Sequence, residues 1–108
     1  MQLGSYKRKV IRSGQRYAIA FNGDGRILFE DATEFYAFWK KDCIGTSMIF
    51  SQLVAKYATI SKIVWRKNSA KVTIPEHYRK LLGLVKGSSV ELEFFEEEGK
   101  TGFCLNVI

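Results

Sequence analysis

At 108 residues, 46% of them hydrophobic, the chain suits one packed domain and is too short for several. A net charge of +6 and a pI near 9.4 favour a polyanionic partner, nucleic acid before an anionic membrane surface. Cys43 and Cys104 are too few and too far apart for a disulfide scaffold or a zinc site, and no apolar run reaches the length of a membrane span.

The opening residues, Met1 to Ser5, read as a loose tail without the apolar core of a signal peptide. With two apolar-flanked thiols, this gives a reducing, cytoplasmic setting as the expectation. Val10 and Ile11, then Tyr17, Ile19 and Phe21, flank a polar break at Arg12-Ser13-Gly14-Gln15-Arg16. That is the pattern of a strand pair. Asn22-Gly23-Asp24-Gly25 is a turn signal, because Asn and Gly accept positive φ, and Arg26 to Glu30 reads as a returning strand. Asp31 can cap a helix, with Glu34 completing a capping box, and the helix from Ala32 to Lys41 would place Phe35, Phe38 and Trp39 on one face. Gly45 breaks the chain. Thr46 or Ser47 then caps a second expected helix running to Tyr57. This pair makes a poor helix-turn-helix: its connection is long, and its second helix carries only Lys56 as a basic residue.

The stretch from Ser61 to Leu84 holds the densest set of signals. Ile63 and Val64 lead into the basic break Arg66-Lys67-Asn68-Ser69, after which Val72 and Ile74 alternate with Lys71 and Thr73 as in a half-buried strand. Pro75 ends that strand and suits a first helical position, Glu76 complements the helix N-terminus, and Gly83 supplies a left-handed cap with Leu84 packing back. Beyond Gly87, Val90, Leu92 and Phe94 alternate with Glu91 and Glu93. Phe103, Leu105 and Val107 alternate with Cys104 and Asn106, with Glu97 to Gly102 as the turn of an antiparallel hairpin.

The succession of strand, basic break, strand, Ile74-Pro75, short helix and Leu81-Leu82-Gly83-Leu84 resembles the swapped-hairpin DNA-binding family of AbrB, MazE and SpoVT. Val85-Lys86-Gly87 is similar to that family's turn before its second strand pair. The resemblance covers about residues 61 to 108. It implies an α+β chain: an AbrB-like swapped-hairpin β-barrel in the second half (61–108), preceded in residues 1–60 by a basic β-hairpin and two helices. It also implies a homodimer, because hairpins from two chains interleave to close the family's core, and double-stranded DNA as the ligand of the strand and loop. Carried over by position, the DNA-contacting residues are Arg66, Lys67, Asn68, Ser69 and Lys71. Arg79 matches the family's helix arginine, which either contacts DNA or fixes the fold by pairing with an acid. Lys67 departs from the family pattern, which commonly has glycine there.

A weak internal echo adds to this. A gapless shift of 53 positions, the distance from Lys9 to Lys62, sets Val10 on Ile63, Ile11 on Val64, Gln15 on Asn68, Ile19 on Val72 and Phe21 on Ile74. The echo ends where Asn22 meets Pro75. On this reading the first half is a degenerate repeat, and Arg12 and Arg16 form a second basic loop.

Charge is divided along the chain. Met1 to Phe21 carries five cations and no acid, and Lys62 to Lys80 carries only Glu76 against six cations, whereas Glu91, Glu93, Glu96, Glu97 and Glu98 gather near the end. Arg and Lys suit phosphates and guanine, and Asn suits adenine. Trp65 and Tyr17, at strand spacing, belong to a core before a base-stacking surface. No catalytic set, metal site or cofactor motif can be assembled: His77 is the single histidine, and Gly23 and Gly25 precede no Gly-Lys-Ser/Thr. The expectation is therefore a cytoplasmic, non-enzymatic transcriptional regulator that binds double-stranded DNA as a homodimer. The alternatives are an antitoxin-like or assembly protein that holds a protein partner through the Asp31–Tyr57 segment or the acidic hairpin, and an RNA-binding module using exposed aromatics.

Overall fold

The computed structural model describes residues 2–29, 32–41, 46–53 and 58–108, with the backbone alone for 2, 24, 25, 38–41, 46 and 47. In chain order the elements are β1 (Gln2–Lys9), β2 (Ile11–Ser13), β3 (Arg16–Asn22), α1 (Asp24–Ile27), β4 (Glu34–Lys41), β5 (Thr46–Ser51), β6 (Thr59–Trp65), β7 (Ser69–Ile74), α2 (Glu76–Leu82), β8 (Ser89–Glu97) and β9 (Lys100–Val107). The strands form one sheet in the order β1-β8-β9-β5-β4-β6-β7-β3-β2, antiparallel throughout. Its two end strands are consecutive in the chain. Only Val10 separates them, bound by backbone hydrogen bonds to Gly87 and Ser88 at 2.8 Å each. Residues 2–13 therefore border both ends of the order and roll the sheet toward a barrel.

Within this sheet, pairings inside a hairpin alternate with pairings across the chain. β2–β3, β4–β5, β6–β7 and β8–β9 are hairpins, whereas β1–β8, β3–β7, β4–β6 and β5–β9 join residues before Ser51 to residues from Thr59 onward. The registers carry a local two-fold relation. The 53-position shift that takes Lys9 to Lys62 moves the pair Ile11↔Ala18 onto Val64↔Lys71 and puts Ile19 directly opposite its counterpart Val72. A shift of 55, the distance from Ile49 to Cys104, moves Tyr36↔Ser51 onto Glu91↔Asn106, and Ile49 faces Cys104. The two shifts together carry Glu34↔Lys62 onto Ser89↔Lys9. The two extra residues fall where α2, with seven residues, replaces α1, with four.

The core follows the same relation. Val10 and Ile63, Phe21 and Ile74, Phe29 and Leu84, Phe35 and Val90, Ala37 and Leu92, Met48 and Phe103, and Phe50 and Leu105 are buried counterparts. Phe21, Phe29, Phe35, Phe50, Phe94 and Phe103 meet at the centre, with Phe50 stacked on Phe103 at 4.5 Å and Phe21 edge-on to Phe29 at 4.9 Å. Such pairs contribute roughly 0.5–1.5 kcal/mol each beyond the area they bury.

This architecture corrects the α+β expectation. The described residues form nine strands and two short helices, and among them no pair of helices precedes the barrel. The first segment expected as a helix, 32–41, holds β4 (Glu34–Lys41), and the described part of the second, expected over 46–57, holds β5 (Thr46–Ser51). Buried Phe35 and Ala37 alternate with half-buried Glu34 and Tyr36, and buried Met48 and Phe50 flank half-buried Ile49, so the two-residue period decides. The capping box gave a helix signal only three residues deep, and a strand pairing on both sides outweighs it. Its Asp31, with Cys43, Gly45, Val54, Lys56 and Tyr57, lies outside the described residues.

Four further expectations change. Residues 2–5 are part of β1 rather than a tail, paired to β8. Residues 24–27 are a helical turn after Gly23 (φ 54), whose carbonyl accepts from Arg26 and Ile27, in place of a returning strand. Pro75 lies just outside α2 with extended backbone. The last hairpin turns at Glu98 (φ 51) and Gly99 (φ 76), while Gly102 is buried inside β9.

Two glycines are fixed for different reasons. Gly83 ends α2 at φ 68, ψ 27, with open space where a Cβ would stand. Gly83→Ala should therefore cost about 1 kcal/mol, through backbone strain alone. A Cβ on Gly102 would meet the Phe50 carbonyl oxygen at 2.5 Å and the Phe95 ring at 2.6 Å. Gly102→Ala should be the more damaging, by about 2 kcal/mol or more. Urea denaturation of both variants checks this order.

Candidate nucleic-acid interface

The outer surface of β2, β3, β7 and β6 follows from register, since residues directly opposite on paired strands share a face. Ile19↔Val72 and Phe21↔Ala70 face the core, so Ala20↔Lys71, Asn22↔Ser69 and Thr73 face outward, while Ala18, opposite Thr73, is covered at 2% exposure. Val64, opposite Lys71, and Ile11 and Ser13, opposite Ala18 and Arg16, extend that face to both sides. Lys62 lies two residues before Val64, and Lys9 two before Ile11. The result is a surface with small residues at the middle, cations around them, and no acid from residue 2 to 22 or from 59 to 75.

At one end of this surface is the β6–β7 turn. The Arg66 N–H donates to the Ser69 carbonyl at 2.8 Å, which closes the turn and leaves Arg66, Lys67 and Asn68 exposed. Ser69 and Lys71 are half-buried on β7. At the other end is the β2–β3 turn at Gly14 (φ 64), where exposed Arg16 belongs to the outer face and exposed Arg12, opposite Tyr17, projects from the other face of β2. Arg12 donates through Nε to the Gly14 carbonyl at 3.1 Å and lies 5.9 Å from the Tyr17 ring centre. Because Tyr17 pairs with Ile74 and Asn22 with Ser69, the two turns project from opposite ends of the β3–β7 pair. At ~3.3 Å per strand residue they are separated by roughly 30 Å.

Arg79 is set apart from this surface. Its Nη2 and Nε donate to the Glu76 carboxylate at 2.6 and 3.1 Å, Nη1 donates to the Leu84 carbonyl at 2.9 Å, and the guanidinium lies 4.4 Å from the Tyr17 ring centre. It ties the end of α2 to β3. Its hydrogen bond holds the Glu76 carboxyl below the ordinary value of 4.5, helped by the charges of Arg79, Lys80 and Arg16 against a smaller effect of desolvation. Glu76 in turn holds the guanidinium protonated. Trp65 is a packing residue: Nε1 donates to the Ala32 carbonyl at 2.9 Å and its ring packs 5.6 Å from Phe29. The acidic residues 96–98 are exposed at the far hairpin tip, and Cys104 is half-buried on β9.

The structure thus brings Arg66, Lys67, Asn68, Ser69 and Lys71 together on one hairpin, puts Arg12 and Arg16 on its two-fold counterpart, and keeps Arg79 in the frame. Three members of the surface are not singled out by the sequence motifs: Lys9, Lys62 and Gln15. Their signal is the 53-position shift, which matches Lys9 with Lys62 and Gln15 with Asn68. Among the described residues no group of His, Cys, Asp and Glu could hold a metal ion, and no helix is long and apolar enough to cross a membrane. No family model, curated protein or solved structure matches the chain.

The Glu76–Arg79 pair makes a pH prediction. A carboxyl whose pKa is lowered on folding contributes stability above its unfolded value, and loses it as pH falls through the folded value. Glu76→Gln should therefore lower the thermal midpoint at pH 7, and the gap from the parent should close below pH 4.5. Melting curves of both proteins at neutral and acid pH check this.

Proposed function

We propose that this protein is a double-stranded DNA-binding regulator of transcription, acting in the cytoplasm, with the outer face of β2–β3–β7–β6 laid against the duplex. The observation that carries the reading is the pairing of two basic turns, related by a local two-fold, at the ends of an acid-free surface. Their separation of roughly 30 Å is near the ~34 Å of one turn of B-DNA, the spacing at which two reading elements meet the same side of a duplex. Small outward residues, Ala20 and Thr73, let the strands approach the phosphates, while Arg16, Lys62 and Lys71 neutralise them. Asn68 and Gln15, at matching places in the two turns, have the amides that suit adenine, and Arg66 and Arg12 suit guanine.

The family that residues 61–108 resemble brings its two loops together from two chains, which is why the sequence suggests a homodimer. Here both turns belong to one chain, so the DNA-binding unit in this proposal is a single chain. The turns differ, Arg12-Ser13-Gly14-Gln15-Arg16 against Arg66-Lys67-Asn68-Ser69, so the two half-sites they read are unlike.

Binding to duplex DNA at two salt concentrations tests the face. Arg66→Ala, Lys71→Ala and Arg12→Ala should each weaken binding, and each should make the logarithmic salt slope shallower by roughly one unit for every phosphate no longer neutralised. Asn68→Ala should cost about 1–3 kcal/mol on the preferred sequence and little on random DNA. Folded variants that bind like the parent would defeat the assignment.

A further inference from the structure

The β6–β7 ladder runs from Trp65↔Ala70 to Ile63↔Val72 and stops. Before Ile63, β6 stays paired to β4, from Ala37↔Thr59 to Glu34↔Lys62, and beyond Val72, β7 stays paired to β3 as far as Tyr17↔Ile74. The two strands part, and a cleft of about 480 Å³ opens between them, its lining including Arg16, Ser61, Lys62, Thr73, Glu76 and His77. The Ile63 N–H donates to Thr33, on the β4 side. Strand alternation therefore turns the backbone groups of Ile60 and Lys62 toward the parted edge.

One group in this cleft stands out. Ser61 is 2% exposed, and its Oγ has no hydrogen-bond partner among the described residues. Buried hydroxyls are nearly always satisfied, so an orphan on a residue that lines a cleft marks a place for a polar ligand atom. The surrounding charge says which kind. Arg16 and Lys62 are exposed cations, and the one acid of the lining, Glu76, is already engaged by Arg79. The cleft combines two cations, the hydroxyls of Ser61, Thr59 and Thr73 and an imidazole, which is a donor set for a phosphate group. Its volume is in the range of small-ligand pockets and leaves room for more than the phosphate.

We infer that this cleft binds a small phosphomonoester of nucleotide size, its terminal phosphate held by Lys62 and Arg16 and reaching the Ser61 hydroxyl. The same phosphate chemistry could come from the internal diester of a nucleic-acid strand. A terminal phosphate suits the cleft better, because its deepest polar group is buried and a group with a single ester bond can enter end-on. The inference stands without the DNA reading, since it concerns the strand gap alone. If both hold, a bound phosphomonoester competes with DNA for Arg16 and Lys62.

The test is calorimetric titration of the whole chain, without DNA, with AMP, with adenosine, and with thymidylyl-thymidine, whose only phosphate is an internal diester. AMP should bind saturably, and at least about tenfold more tightly than either of the others. Lys62→Ala should weaken AMP binding about tenfold and Ser61→Ala about threefold to tenfold, both variants remaining folded by circular dichroism. No saturable AMP binding, equal binding of AMP and adenosine, equal binding of AMP and the diester, or parent-like binding by folded Lys62→Ala would each overturn the inference. A chain that binds AMP and ignores duplex DNA keeps this site and defeats the DNA-binding reading, and the converse result does the reverse.

Discussion

Neither half of this chain can satisfy its own strands. Apart from the end strand β2, each hairpin strand has one edge paired to its own return strand and the other paired to a strand from the opposite half, and the Ile19↔Val72 and Ile49↔Cys104 pairs lie at the two centres of that exchange. An exposed edge is a row of unmet backbone donors and acceptors, and interleaving removes almost all of it. It also gathers the six phenylalanines into one cluster drawn from both halves: Phe21, Phe29, Phe35 and Phe50 from the first, Phe94 and Phe103 from the second. A core of this size is beyond either half, since chains of about half this length bury too small a fraction of their surface to be secure alone.

The charge pattern is a consequence of the same exchange. Crossing β3 with β7 puts two acid-poor segments, distant in sequence, side by side on one outer surface. Crossing β5 with β9 makes the other half of the sheet, whose β8 bears Glu91 and Glu93, with Glu93 accepting from Asn106 at 3.3 Å. The β2–β3–β7–β6 face is therefore free of acids along those strands, whereas on the other half Glu91 stands opposite Lys7 of β1.

Much of this arrangement is legible in the residues, and the parts that are not have physical causes. The alternation of Val72 with Ile74 and of Val90, Leu92 and Phe94, and the glycine at the end of α2, specify β7, β8 and the helix cap directly, because each is a local rule acting alone. The first hairpin and its match to Lys62–Ile74 are visible for the same reason. The match beyond Phe21 is hidden. Two extra residues around α2 break a gapless alignment, and the buried counterparts there share size class and inward placement but not identity, as with Ala37 and Leu92 or Met48 and Phe103. The 32–41 segment misleads because aromatic residues at 35, 38 and 39 with a capping pair fit a helix as well as a strand, and only a partner on each side, β5 and β6, settles the period. The role of Arg79 is equally beyond sequence. Its residue type serves DNA and a carboxylate alike, and contacts to Glu76, Leu84 and Tyr17 decide for the frame. The cleft at Ser61 depends on where a ladder stops, which no local pattern records.

In the proposed function, two unlike basic turns of one chain act as a single duplex-reading surface. Selection from a random duplex library measures this most directly. Two different short motifs should be enriched at a fixed centre-to-centre spacing of roughly one helical turn, about 10 base pairs, with adenine or guanine prominent in each. Enrichment of a perfect palindrome, of a single half-site with free flanking sequence, or of nothing at all would contradict that role.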